Sequence, residues 1–232
     1  MAHIHLEDGA FTPFWIIVWS LLALGIVWAT LFLIRRKNIP PRLIAIAAMC
    51  ASVGFAVFQV EIPTPIGPVH MNFTPLIGIL VGPGLGSLVV IVINIFSAAI
   101  GHGGWGMIGA NSLVNILEVS LAYYSFRLLK TKLKRGFYWS GFGSTVISLT
   151  ASAFFVVLII AVSEIQGSQL TKEEIIGNLM ILAALNTVAG AIEGVVTGYV
   201  VSFLGRVRPD LLEHHARRPV DAVAPAVTTE VA

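Results

Sequence analysis

Long apolar runs, separated by short polar or glycine- and proline-rich breaks, repeat along almost the whole chain. A helix needs about 20 apolar residues to cross the hydrocarbon core of a bilayer. Runs of that kind lie at about 12–34, 42–60, 84–100, 107–128, 138–163 and 176–204. A shorter apolar stretch, 71–81, sits between the second and third and ends at Gly82-Pro83-Gly84, so it reads as a short helix or as the first arm of a hairpin. The pattern predicts an all-α integral membrane protein.

The basic residues settle how the spans are counted. With 71–81 included and the N-terminus outside, the cytoplasmic segments are 35–41, 82–84, 129–137 and everything after 204. Arg35, Arg36, Lys37 and Arg42 border the first of these, and Arg127, Lys130, Lys132, Lys134 and Arg135 border the third. Arg206, Arg208, Arg217 and Arg218 fall in the tail, so that of the chain's 14 Lys and Arg only Lys172 is outside. The positive-inside rule favours this arrangement, and six spans would break it. The expected organisation is an outside N-terminal segment 1–11, a seven-helix membrane domain 12–210, and a disordered cytoplasmic tail 211–232 without helical periodicity. The first apolar run is too long for a signal-peptide core and has its basic residues after it, so it is expected to remain as a helix of a multi-pass protein.

Composition narrows the function classes. Only 11% of residues are charged and 56% are hydrophobic, against roughly 25% charged in a soluble domain. A net charge of +2 without a basic, aromatic-interleaved stripe argues against nucleic acid. The single Cys50 forms neither an internal disulfide nor a cysteine-based metal site. There is no lysine within a span for a Schiff base and no Gly-x-x-x-x-Gly-Lys-Ser/Thr loop for a nucleotide, so any ATPase working with this chain is another polypeptide.

Candidate chemistry concentrates outside. In Met1-Ala2-His3-Ile4-His5 two histidines lie within five residues of an amine. An amine, a deprotonated backbone amide and an imidazole can chelate one metal ion in a plane, which suits Ni(II) or Cu(II). The same residues would also serve as a plain polar leader to the first helix. His70 closes the stiff loop Pro63-Thr64-Pro65-Ile66-Gly67-Pro68-Val69-His70, and His102 lies in Gly101-His102-Gly103-Gly104. His3, His5, His70 and His102 therefore share the outer face, while His214 and His215 lie in the tail. Glu118 and Glu193 are ionisable groups at membrane depth, where such residues face a bundle interior or a cavity. For most of Asn94, Asn111, Asn115 and Asn186, interhelical packing is the favoured explanation. The rows Ala47, Ala51 and Ala48, Ser52, Ala56 on the second span let another helix come close, either inside the bundle or from a partner.

Several ordered motifs resemble the CbiM/NikM family, the substrate-binding components of energy-coupling-factor transporters for cobalt and nickel. They are His3-Ile4-His5-Leu6-Glu7-Asp8-Gly9-Ala10-Phe11, the Pro63 to His70 loop, Gly101-His102-Gly103-Gly104, Gly109-Ala110-Asn111, Glu193 with Thr197, and Arg208-Pro209. The resemblance implies a six-helix core with one extra N-terminal helix and a metal bound by the terminal amine, the neighbouring histidine's backbone and side chain, and an outer-loop histidine. By position that makes Ala2, His3 and His70 the ligands, with His5, His102 and Asn111 as additional or supporting groups. His102 stands where the family pattern has Asp, and Ala2 shifts the chelate's register. The resemblance further implies that Ni(II) or Co(II) is the transported substrate, in the service of cobalamin biosynthesis or nickel supply. A transmembrane coupling protein and ATP-binding cassette ATPases would be its partners in the cytoplasmic membrane, with room for a small accessory membrane subunit.

The expected function is thus a substrate-capture subunit and no enzyme in its own right. A receptor for an organic micronutrient is the rival within the same architecture. A membrane-embedded enzyme using Glu118 or Glu193 with His102 is the rival from another class, and it needs those three groups near one cavity.

Overall fold

A computed structural model describes Gly9 and residues 11–62, 69–163 and 171–212, with backbone alone for 61, 62, 69, 70 and 172. Among the described residues six α-helices carry the fold: α1 (Pro13–Arg35), α2 (Pro41–Phe58), α3 (Thr74–Ala99), α4 (Ile108–Arg127), α5 (Phe137–Ser163) and α6 (Lys172–Val207). A two-residue antiparallel ladder joins β1 (Glu61–Ile62) to β2 (Val69–His70) between α2 and α3.

The starts of the helices follow from sequence. Proline occupies the first turn of α1, α2 and α3, where its missing N–H costs no hydrogen bond. A Thr171/Glu174 capping box opens α6. That helix has 36 residues, about 54 Å at 1.5 Å per residue, so its first turns extend beyond the apolar 176–204 stretch.

α3 is two arms rather than one rod. Gly82 leaves helical geometry (φ 78°, ψ 172°) immediately before Pro83, which has no N–H to continue the ladder. A Cβ built on Gly54 would lie 3.1 Å from Ile77 Cδ1 and 2.9 Å from Ile93 Cδ1. In a straight helix residues 77 and 93 would stand about 24 Å apart. The chain therefore folds back at Gly82, and arms 74–81 and 83–99 lie together in one apolar cluster with Phe58, Ala47 and Val119. The hairpin alternative holds for the 71–81 stretch, with the helix itself starting at Thr74.

By length and composition five of the described helices suffice to cross a membrane, α3 counting with its two arms taken together: α1, α2, α3, α5 and α6. Two of the seven expected spans are not among these five as separate helices. The first arm of α3 spans only about 12 Å, and α4 is long enough but carries buried Asn111, Ser112, Asn115 and Glu118. α4 is the interior post, packed by α1, α3 and α5. α5 and α6 pack closely, since a Cβ built on Gly141 would lie 3.1 Å from Gly198 Cα, and Ser144, Thr145 and Ser148 return their hydroxyls to their own helix.

Among the described residues every Lys and Arg except Lys172 lies toward one end. Ile34 at the end of α1 meets the hairpin tip at Gly84, and Tyr123 of α4 meets Gly82. Arg42 pairs with Asp210, which also pairs with Arg208, and Lys130 sits over the Phe137 ring at 3.7 Å. Packing continues through Leu212, buried with Ile79, Phe126 and Val201. Residues 213–232 lie outside the described residues.

Candidate metal-capture site

The opposite end of the bundle holds the loops in which the outer histidines were expected. Ala2, His3 and His5 lie outside the described residues, and His70 is described by its backbone. That backbone pairs with Glu61, so β2 returns His70 to within three residues of the end of α2.

His102 is set by a Schellman turn at the end of α3. Its N–H donates to Ser97 O at 2.9 Å and the Gly101 N–H donates to Ala98 O at 3.0 Å, with Gly101 at φ 86°, a backbone that suits glycine. The imidazole is edge-on to Phe58, ring centroids 5.4 Å apart. Gln59 Nε2 donates to Ser97 Oγ at 3.0 Å, and Asn111 Nδ2 donates to Gly103 O at 3.3 Å. The end of α2 thus touches the His102 turn and leads directly into the strand that pairs with His70. Among the described residues no group of three or more His, Cys, Asp or Glu is arranged to hold a metal.

Deeper lies a second polar constellation, centred on a residue that sequence reasoning counted only as part of the apolar arm. Asn72 is 1% exposed, and its Oδ1 accepts from Thr74 N at 3.0 Å. Its Nδ2 donates to Glu118 Oε2 at 3.0 Å and its backbone N–H donates to Glu193 Oε2 at 3.3 Å. Ser152 Oγ donates to Glu118 Oε1 at 2.6 Å. Both glutamates are fully buried, at 0% and 1% exposure. The available signal was an asparagine just before a helix start, the residue type that caps helices through its side chain. Beside this cluster Asn115 Nδ2 donates to Asn94 Oδ1 at 3.1 Å, and Asn94 Nδ2 donates to Ser112 Oγ at 3.2 Å, so these amides do pack helices together.

The enzyme rival needs Glu118 or Glu193 together with His102 near one cavity. Glu118 and Glu193 meet at Asn72, whereas His102 rests on Phe58 and the end of α3. A cavity of about 620 Å³ lies between α2 and the second arm of α3, is lined by apolar and small residues, and includes none of the three. Its wall also resolves the small-residue rows: Ala47 is buried in the bundle, while Ala48 and Ser52 are exposed along the groove.

These features define a helical membrane protein with the His70 strand and the His102 turn at one end and, among the described residues, all its Lys and Arg but Lys172 at the other. Solved structures share the fold. A crystal structure of a transition metal transporter superposes with a TM-score of 0.76 at 19% identity, covering 93% of this chain and 100% of that one. A truncated transition metal transporter gives 0.75 at 20% identity over 88% and 99%. The profile described as "Cobalt uptake substrate-specific transmembrane region" matches residues 5–211, and the chain belongs to this CbiM family. Relatives include a cobalt transport protein CbiM of Sorangium cellulosum, 27% identical over 90% of this chain and 94% of that one. A putative cobalt transport protein CbiM of Methanocorpusculum labreanum is 25% identical over 90% and 92%. A putative fused nickel transport protein NikMN of Archaeoglobus fulgidus is 26% identical over 91% of this chain and 69% of its own length. The family match begins at His5, leaving Ala2 and His3 ahead of it.

Proposed function

We propose that this chain captures Ni(II) or Co(II) on the outer face of the cytoplasmic membrane as the substrate subunit of an ATP-driven importer. The observation that carries the reading is the family match over residues 5–211, in a chain whose strand pair turns His70 back to the end of α2 beside the His102 turn. The proposed ligands are the Ala2 amine, the His3 amide and imidazole, and His70, four nitrogens suited to a planar site. His5, His102 and Asn111 act around them. The proposed topology has seven passes, the two arms of α3 forming a hairpin whose tip faces the cytoplasm with the basic residues. This chain contributes no nucleotide site, so a transmembrane coupling protein and cassette ATPases supply the energy. The exposed row Ala48, Ser52, Ala56 on α2 offers a helix of the coupling protein close approach.

The test is titration of the purified, untagged protein with Ni(II) and Co(II). His70→Ala should abolish high-affinity binding of both while leaving helicity and apo thermal stability in place. His102→Ala should weaken it by about 10–100-fold, as loss of a group supporting a ligand does. Unchanged affinity in His70→Ala sinks the ligand assignment.

A further inference from the structure

The Asn72 constellation is more than buried polar packing, because of where it sits in the chain. Asn72 follows His70 by two residues and precedes α3 by two. All three of its hydrogen-bonding groups named above are committed in different directions: the carbonyl to the start of α3, the amide NH₂ to α4, and the backbone N–H to α6. The orientation of the amide is fixed by these partners, since only the NH₂ can donate to a carboxylate and only the oxygen can accept from Thr74 N–H. Next in the chain, Phe73 holds φ at 51°. A bulky side chain rarely adopts this left-handed backbone, which persists where the surroundings over-determine it. The segment from His70 to α3 is thus a strained turn clamped on one side by Asn72 and on the other by Thr74 and Pro75.

We propose that Asn72, Glu118 and Glu193 are positioning residues for the metal site: the two buried glutamates hold Asn72, and Asn72 fixes the backbone that presents His70. Ser152 orients Glu118 from α5, so the clamp ties the His70 strand to α3, α4, α5 and α6 together. This inference rests on the reading of His70 as a ligand. It assigns the glutamates a role through acceptor geometry, so a neutral acceptor of the same shape should serve as well as a carboxylate. Glu118→Gln keeps an oxygen for Asn72 Nδ2 and can turn its own NH₂ toward Ser152 Oγ. Asn72→Asp keeps the acceptor for Thr74 but sets an oxygen against Glu118 Oε2, and adding Glu118→Gln to it restores one donor and one acceptor with the roles exchanged.

The experiment measures Ni(II) and Co(II) affinity, metal dissociation rate and metal-free thermal midpoint on the full chain in detergent. Expected are affinity within about threefold of wild type for Glu118→Gln and Glu193→Gln, a loss of about 10–100-fold with faster dissociation for Asn72→Asp, and recovery in Asn72→Asp/Glu118→Gln. Hydrogen exchange over 69–73 should rise in Asn72→Asp and fall again in the double variant. Should Asn72→Asp lower the thermal midpoint while its folded fraction binds metal with wild-type affinity and dissociation rate, the cluster serves only the fold and the proposal is overturned. A Glu118→Gln loss as large as that of Asn72→Asp overturns it too, because charge rather than geometry would then matter. His70→Ala is run alongside. If it binds normally the ligand reading has failed, whereas loss there with intact binding in Asn72→Asp fails the positioning role alone.

Discussion

Gly78→Ala tests the packing on which the hairpin depends. Gly78 lies in the first arm of α3, and a Cβ there would stand 2.3 Å from the backbone oxygen of Val119 and 3.0 Å from its Cα. The obstacle is backbone of α4, which cannot rotate away as a side-chain tip can. Reaching ordinary contact would require the arm and α4 to separate by about 1 Å, against contact distances of about 3.5 Å. Overpacking of this kind costs about 1–3 kcal/mol, and for a chain of this length each kcal/mol lowers the thermal midpoint by about 2–4 °C. The expected fall is about 2–12 °C by differential scanning fluorimetry in detergent. Gly25→Ala in α1 and Gly177→Ala in α6 are the controls, since a Cβ at either meets nothing within 4 Å. There the better helix propensity of alanine should leave stability unchanged or raise it by up to about 1 kcal/mol. If Gly78→Ala is as stable as these controls, the arm does not rest on α4 and the hairpin argument fails.

Other outcomes follow from the proposed site. Chelating imidazoles must be neutral and a participating amide must lose its proton, so metal binding should release protons and weaken below about pH 6. Calorimetry in buffers of differing ionisation enthalpy reads this, and zero release would remove the amide from the ligand set. Alanine at position 2 permits removal of Met1, and the working protein should lack it by intact mass. His3→Ala should then lose metal and His5→Ala should keep it; the reverse result would make His5, where the family match begins, the terminal ligand. Gly101→Ala should cost about 1–2 kcal/mol through its left-handed backbone, seen as a lower thermal midpoint, even though its Cβ would meet no neighbour.

The helices and their ends could be read because hydropathy, proline and basic residues act locally. The runs at 12–34 and 138–163 match α1 and α5 within a residue or two at each end. The hairpin was legible from Gly82-Pro83 only as one of two alternatives, because nothing local says whether a break bends or reverses a helix. Contacts sixteen residues apart decide it. Asn72 was illegible for a related reason. Its partners Glu118 and Glu193 are 46 and 121 residues away, and in one dimension it is a polar residue at the edge of an apolar run. The same distance hid the difference between the small-residue rows of α2, since burial of Ala47 and exposure of Ala48 depend on where α3 returns.

The hairpin also explains how one short loop can answer to two parts of the molecule. His70 is reached from one side through β1 and α2, a helix that buries little of its surface and carries the exposed row of small residues. From the other side it is reached through Asn72, which is fixed to α4 and α6 at the centre of the bundle. A continuous α3 would have separated these attachments, because Ile77 and Ile93 could not then both pack on Gly54 of α2. Reversal at Gly82 lets α2 rest on both arms, so the exposed face of α2 and the strand beside His70 belong to one packed unit. Displacing α2 would therefore pull on β1 while Asn72 holds the far side of His70, and the strand pair is where the two would part.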